Sequence, residues 1–184
     1  MKIIFLDVDG VLNHAGCKAY TPSGYYFVEE DRMALLQEIL EATGARIVLS
    51  SSWRKGYYDH AASHDTDDAR DYLLLEEALA AIGGEIIGYT PMFDTAYRGT
   101  EILAWLREHR DLDVEAILIL DDDKDMKPLG SFLIRTSFVF GLSEKHVAGA
   151  IDLLMHDAYT EFVRGGGLDQ DAQAGSAAHS RIKV

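Results

Sequence analysis

A short apolar run that ends in acid opens the chain. Ile3-Ile4-Phe5-Leu6 has the makeup of a buried strand, and it passes directly into Asp7-Val8-Asp9-Gly10. Two carboxylates two apart then leave the sheet edge together, and Gly10 lets the backbone turn sharply behind them. A pair placed in this way suits a hard divalent cation and a phosphoryl group.

Beyond this opening, apolar runs alternate with amphipathic stretches, the pattern of a parallel α/β sheet. The spacing predicts strands at 2–7, 45–49, 85–88, 115–120 and 132–135. Helices are predicted over 29–42 and 68–82, from a Thr100 cap to His109, and after a Ser143 cap. Residues 55–67, polar and rich in His and Asp, are expected to form a loop. At 184 residues the chain has the size of one domain, expected over 1–164, with a flexible tail over 165–184 that starts at three glycines.

No apolar run approaches membrane-spanning length, and a cytoplasmic location is the default expectation. A single cysteine, Cys17, excludes an internal disulfide. The net charge of −14 argues against broad non-specific nucleic-acid binding, which needs a basic footprint. It leaves room for engagement of a nucleic-acid end through a few local cations.

Three further runs place chemistry at strand ends or helix starts, where open α/β sheets gather ligands. They are Ile47-Val48-Leu49-Ser50-Ser51, Tyr97-Arg98-Gly99-Thr100, and Ile117 to Leu120 followed by Asp121-Asp122-Asp123-Lys124-Asp125. Each has a bland alternative: a serine-rich turn, a surface arginine, a solvated acidic turn. Four acids within five residues at a buried strand end repel strongly without a cation, which weighs against the last of these.

In this order the four segments resemble the four motifs of the haloacid dehalogenase (HAD) superfamily. The runs FLDVDGVLN, TGARIVLSSSWR, IIGYTP, RGTEILAWL, LILDDDKDM and GLSEKHVAGAI are similar to the HAD domain of Swiss Army Knife RNA-repair proteins. The resemblance spans about residues 1–155 and implies a Rossmann-like HAD fold: a central parallel sheet, helices on both faces, and a minimal or absent cap domain. It implies that Asp7 is a nucleophile that becomes an aspartyl phosphate and that Asp9 is the general acid/base. Asp7, Asp9 (through its carbonyl) and Asp122 would hold Mg²⁺. Ser50, or Ser51 one position on, would bind a phosphoryl oxygen, and Arg98 would offset charge, with Arg54 as a rival cation. Asp121 and Asp125 would act from outside the ligand sphere.

The expected activity is that of a Mg²⁺-dependent phosphatase. The expected substrate is a phosphorylated nucleic-acid end, a nucleotide or a phosphoprotein. A phosphate-sensing or partner-binding relative without turnover is the alternative. Receiver domains also combine acids, Ser and a cation, but their phosphorylated Asp follows strand 3. His60 and His64 are read as surface residues, Trp53 and Trp105 as core or cleft wall. Tyr25, Tyr26, Tyr57 and Tyr58 are candidates for the cleft mouth or for packing.

Overall fold

Buried β-branched and leucine-rich runs pair side by side in a five-stranded parallel sheet. The computed structural model describes residues 1–94, 97–156 and 158–169. Its strands are β1 (Lys2–Leu6), β2 (Arg46–Leu49), β3 (Ile86–Tyr89), β4 (Ala116–Asp121) and β5 (Leu133–Arg135). Their order is β3-β2-β1-β4-β5, so β1 is central, with β2 and β4 on either side of it. The chain runs outward from β1 to one edge, then returns to the other side of β1 with β4. That reversal is a topological switch point, and it opens a crevice beyond the carboxyl ends of β1 and β4.

Strand residues alternate between two cores. Ile4 and Leu6 of β1, Ile47 and Leu49 of β2, and Leu118 and Leu120 of β4 pack on one face. That face is covered by α1 (Glu30–Thr43), α3 (Asp67–Ala81) and α5 (Glu144–Met155). Phe5, Val48, Ile117 and Ile119 pack on the other, beneath α4 (Arg98–Glu108) and α6 (Ala158–Arg164). The expected parallel sheet with helices on both faces is therefore present. Trp105 is in the core, edge-on to Phe5 at 5.5 Å.

Helix ends follow local chemistry in part. Gly44 closes α1 in the left-handed region (φ 64°), and its N–H donates to the Leu40 carbonyl. Ser143 opens α5, its N–H donating to His146 Nδ1 at 3.1 Å. Two expectations need correction. The 55–67 segment is not all loop: Arg54–Ala61 is a helix, α2. Its polar composition hides the contacts that fix it, a Tyr57 ring stacked on Tyr89 at 3.8 Å and a Gly56 pressed against α3. Thr100 does not cap α4. The helix starts at Arg98, because Tyr97 is extended and its carbonyl accepts from the Thr100 N–H.

No inserted domain stands between β1 and β2 or between β2 and α4 among the described residues. The first interval holds a strap, residues 14–29, and α1; the second holds α2, α3 and β3. Leu168 is buried, and Arg107 Nε donates to its carbonyl at 2.6 Å. The remainder of the expected tail, 170–184, lies outside the described residues. No helix among the described residues is long and apolar enough to cross a membrane.

Candidate active site

The parallel hydrogen-bond ladder runs one residue past the strand ends. Asp7 N–H donates to Leu120 O, Ser50 N–H to Leu6 O, Thr90 N–H to Leu49 O and Thr136 N–H to Asp121 O. Residues that leave four separate strands are thereby held at one level along the crevice. This brings Asp7, Asp121 and Asp122 together: each offers a carboxylate oxygen within 4.8 Å of the others. Asp7 and Asp121 are buried, at 7% and 1% exposure.

Burial pushes the Asp7 carboxyl up from its ordinary value, opposed by the Arg98 guanidinium and the Ser51 hydroxyl. Asp121 is pushed up to about 7, by burial first and then by the neighbouring Asp7. Asp122 is also raised, chiefly by burial. Asp121 Oδ2 has no hydrogen-bond partner among the described residues.

Two cations act on these acids among the described residues, Arg98 on Asp7 and Asp121 and Arg135 on Asp122. Arg98, the first residue of α4, sits 3.7 Å from Asp7 Oδ1 and 3.4 Å from Asp121 Oδ2. It reaches this position because Gly99 lies against the backbone of Met126, where a Cβ would come within 2.6 Å.

Asp9 is held apart from that group. Asn13 Nδ2 donates to its Oδ1 at 2.8 Å and Trp53 Nε1 to its Oδ2 at 3.0 Å. Asn13 also accepts from the Gly10 N–H and donates to the Tyr26 carbonyl, so one side chain ties the acid loop to the strap. Gly10 is in the left-handed region (φ 74°), and a Cβ there would meet Asp122 Cγ at 2.7 Å. Gly10→Ala is therefore expected to cost at least about 1–2 kcal/mol from the backbone alone and to displace Asp122, read as a lower denaturation midpoint with weakened divalent-ion binding.

Of the serines, Ser51 has its hydroxyl on Asp7, while Ser50 Oγ is buried without a hydrogen-bond partner among the described residues. Asp125 is not in the acid group; its carbonyl accepts the Gly99 N–H. Arg54 is corrected as a phosphate ligand. All five of its N–H donors are used, on the carbonyls of Ser50, Ser51, Thr90 and Pro91 and on Glu101 Oε2 at 2.7 Å. It joins three crevice elements and has no donor left for an anion. Its partner Glu101 was not singled out from the sequence. Glu101 is 6% exposed, accepts the Phe93 N–H and lies 3.6 Å from Arg98. An acid three residues after a helix-opening arginine was the available signal. His60 and His64 are exposed, as expected. A second polar cluster, His14, Cys17 and Glu29, is also present, but both ring nitrogens of His14 are engaged, by Gly16 N–H and by Glu29 at 2.8 Å.

A sheet ordered in this way, with acids from β1 and β4 converging on a cation that opens the intervening helix, places the chain in the haloacid dehalogenase class. Residues 3–147 match the family model described as the HAD domain in Swiss Army Knife RNA repair proteins, and the chain belongs to that family. Membership supports a HAD-type phosphohydrolase in general terms. No curated protein and no solved structure gave a match.

Proposed function

We propose that the chain is a Mg²⁺-dependent phosphomonoesterase that works through an aspartyl phosphate on Asp7. The observation that carries this reading is the meeting of Asp7, Asp121 and Asp122 opposite Arg98. The donor set fits a divalent ion: hard oxygens, raised carboxyl groups and a buried Asp121 Oδ2 that has no hydrogen bond among the described residues and only Arg98 as a charge partner. Asp7 and Asp122 would hold the ion with the Asp9 carbonyl, since the Asp9 carboxylate is taken by Asn13 and Trp53. Bound there, Mg²⁺ supplies charge screening between an anionic nucleophile and an anionic phosphoryl group.

The side chains divide the remaining work. An Asp7 oxygen attacks phosphorus as the bond to the leaving oxygen breaks, and Asp9 delivers a proton to that oxygen. Asp9 then takes a proton from the water that attacks the phosphorylated Asp7, which frees inorganic phosphate. Arg98 and the Ser51 hydroxyl absorb charge on the non-bridging oxygens. The Asn13 and Trp53 donors keep Asp9 on the side from which the leaving group departs. The cleft, about 430 Å³ and bordered by Met92 and Tyr97, has no domain closed over it among the described residues, which suits a bulky phosphorylated carrier. The family description favours a nucleic-acid end, with a nucleotide or phosphoprotein as the other carriers.

A panel of phosphorylated oligonucleotides, nucleoside monophosphates and phosphopeptides tests this, assayed for phosphate release with Mg²⁺ and with EDTA. Release in Mg²⁺ and none in EDTA is expected; release that survives EDTA rejects the metal-dependent reading. A pH effect accompanies it. Asp121 titrates near 7 instead of its ordinary 3.8, so its ionised form disfavours the folded state. That destabilisation is absent below about pH 4, grows as the pH rises and is complete above about 7. Mg²⁺ should therefore raise the denaturation midpoint more at pH 8 than at pH 6; an equal rise at both sinks the account of the acid group.

A further inference from the structure

The strap between β1 and α1 carries a series of exposed rings along one side of the crevice. Tyr20 and Tyr25 are 62% and 54% exposed, and Phe138, on the loop after β5, is 45% exposed. The rings fall in two groups: Tyr25 lies 6.3 Å from Trp53, while Tyr20 lies 5.3 Å from Tyr26 and Tyr26 6.3 Å from Phe138. Trp53 in turn donates to Asp9, and the Tyr26 carbonyl is held by the same Asn13 that holds Asp9.

The strap has anchors besides these rings: Phe27 and Val28 packed on the core, His14 with Glu29, Ala15 N–H on the Phe138 carbonyl, Phe27 N–H on the Ala19 carbonyl, and Ser23 on Asp71. A strap anchored in this way could carry any polar side chain outward. Instead it leaves several aromatic faces in water, a cost in hydration that a bound planar group would relieve.

We infer that the exposed ring of Tyr25, backed by the buried Trp53, stacks a nucleobase carried on the leaving-group side of the substrate. The inference rests on the phosphomonoesterase reading above, because Asp9 must reach the leaving oxygen and its neighbours must then meet the body of the leaving group. An exposed aromatic face matches the face of a base, and stacking does not depend on which base is present. Charge points the same way. The chain carries a net −14, and Lys55, which borders Tyr25 and Trp53, is paired with Asp68. Tracking a phosphate backbone is thus a poor fit, and affinity must come from ring contact, with weak dependence on salt.

Two base-bearing sources share this chemistry, a mononucleotide and a single-stranded end, and the strap separates them. Tyr25 reaches Asp9 through Trp53, whereas the exposed Phe138 reaches it only through Tyr26, whose carbonyl Asn13 holds, so Phe138 is a second contact that a longer substrate would use. In full-length protein, Tyr25→Ala is expected to raise KM about ten-fold for a nucleoside monophosphate and for a 3′-phosphorylated single-stranded oligonucleotide. Glycerol phosphate turnover should not change, and Tyr25→Phe should restore the parent KM. Phe138→Ala should raise KM for the oligonucleotide alone if a strand end is the substrate, and for neither if a mononucleotide is.

Binding gives a readout apart from turnover. Asp7→Asn protein, titrated into a 3′-phosphorylated oligonucleotide that contains 2-aminopurine, should quench its fluorescence, and Tyr25→Ala in that background should weaken the dissociation constant about ten-fold. Unchanged KM and binding in Tyr25→Ala overturn the stacking site while leaving the phosphomonoesterase intact. So does a phosphopeptide used better than every base-bearing substrate. Failure of phosphate release from all substrates, with quenching retained, rejects the enzyme and keeps the stacking site.

Discussion

Asp7→Asn is expected to lower phosphate release by at least about a thousand-fold, with the folded state no less stable than in the parent. The two halves of this expectation have one cause. Asp7 is buried beside Asp121 and its carboxyl is raised by that burial, so its charge works against the metal-free fold. Removing the charge relieves the repulsion that also raises Asp121. The amide keeps the shape and can still accept from Ser51, but it is a poor nucleophile towards phosphorus. Phosphate release measured on highly purified protein, beside a denaturant melt in EDTA, reads both. Substantial residual activity in the substituted protein would falsify the nucleophile assignment, and a large loss of metal-free stability would contradict the account of the acid group.

The largest expected loss of stability is at Glu101. Glu101→Ala leaves the Arg54 guanidinium buried with four carbonyls and no counter-charge. Breaking one side of a buried pair costs about 3–5 kcal/mol, which a denaturant melt resolves easily. Glu101→Gln should cost less, because an amide oxygen can still accept from Arg54 and a neutral group needs less compensation on burial. Activity should fall even where the protein stays folded. Arg54 fastens the loop after β2 to the end of β3, and Glu101 fastens Arg54 to α4, the helix that presents Arg98. A melt within about 1 kcal/mol of the parent would mean that the pair behaves like a surface salt bridge.

Much of this was legible in the chain. The apolar runs fell where the strands are, since a strand buried on both faces has no freedom to be polar. The acids of the first and fourth segments stood out because charge directly after such a run is costly unless something neutralises it. Arg54 was misread for a related reason. A cation near a phosphate-type loop has two fates that look alike in one dimension: facing an anion, or turning inward to cap backbone carbonyls. Which one holds depends on where the Thr90 and Pro91 carbonyls lie, and these are 36 and 37 positions away in the chain.

Helix α2 was hidden by the same limit. Its eight residues have little apolar periodicity, and the contacts that hold it come from Tyr89 and α3. The Asn13 and Trp53 bonds to Asp9 lie in this class too, because an asparagine and a tryptophan carry no local sign of what their N–H groups will meet.

The amino-acid order by itself determined which strands exist, that they lie parallel, and which acids end them, because burial period and charge at strand ends are properties of short segments. Only the folded chain decided that Asp7, Asp121 and Asp122 share one small space, that Ser51 rather than Ser50 bonds Asp7, and that Arg98 faces the acids while Arg54 spends its donors on carbonyls and Glu101. Distances between side chains from different strands depend on strand order and register, which are set by the packing of the whole sheet and are written in no single segment.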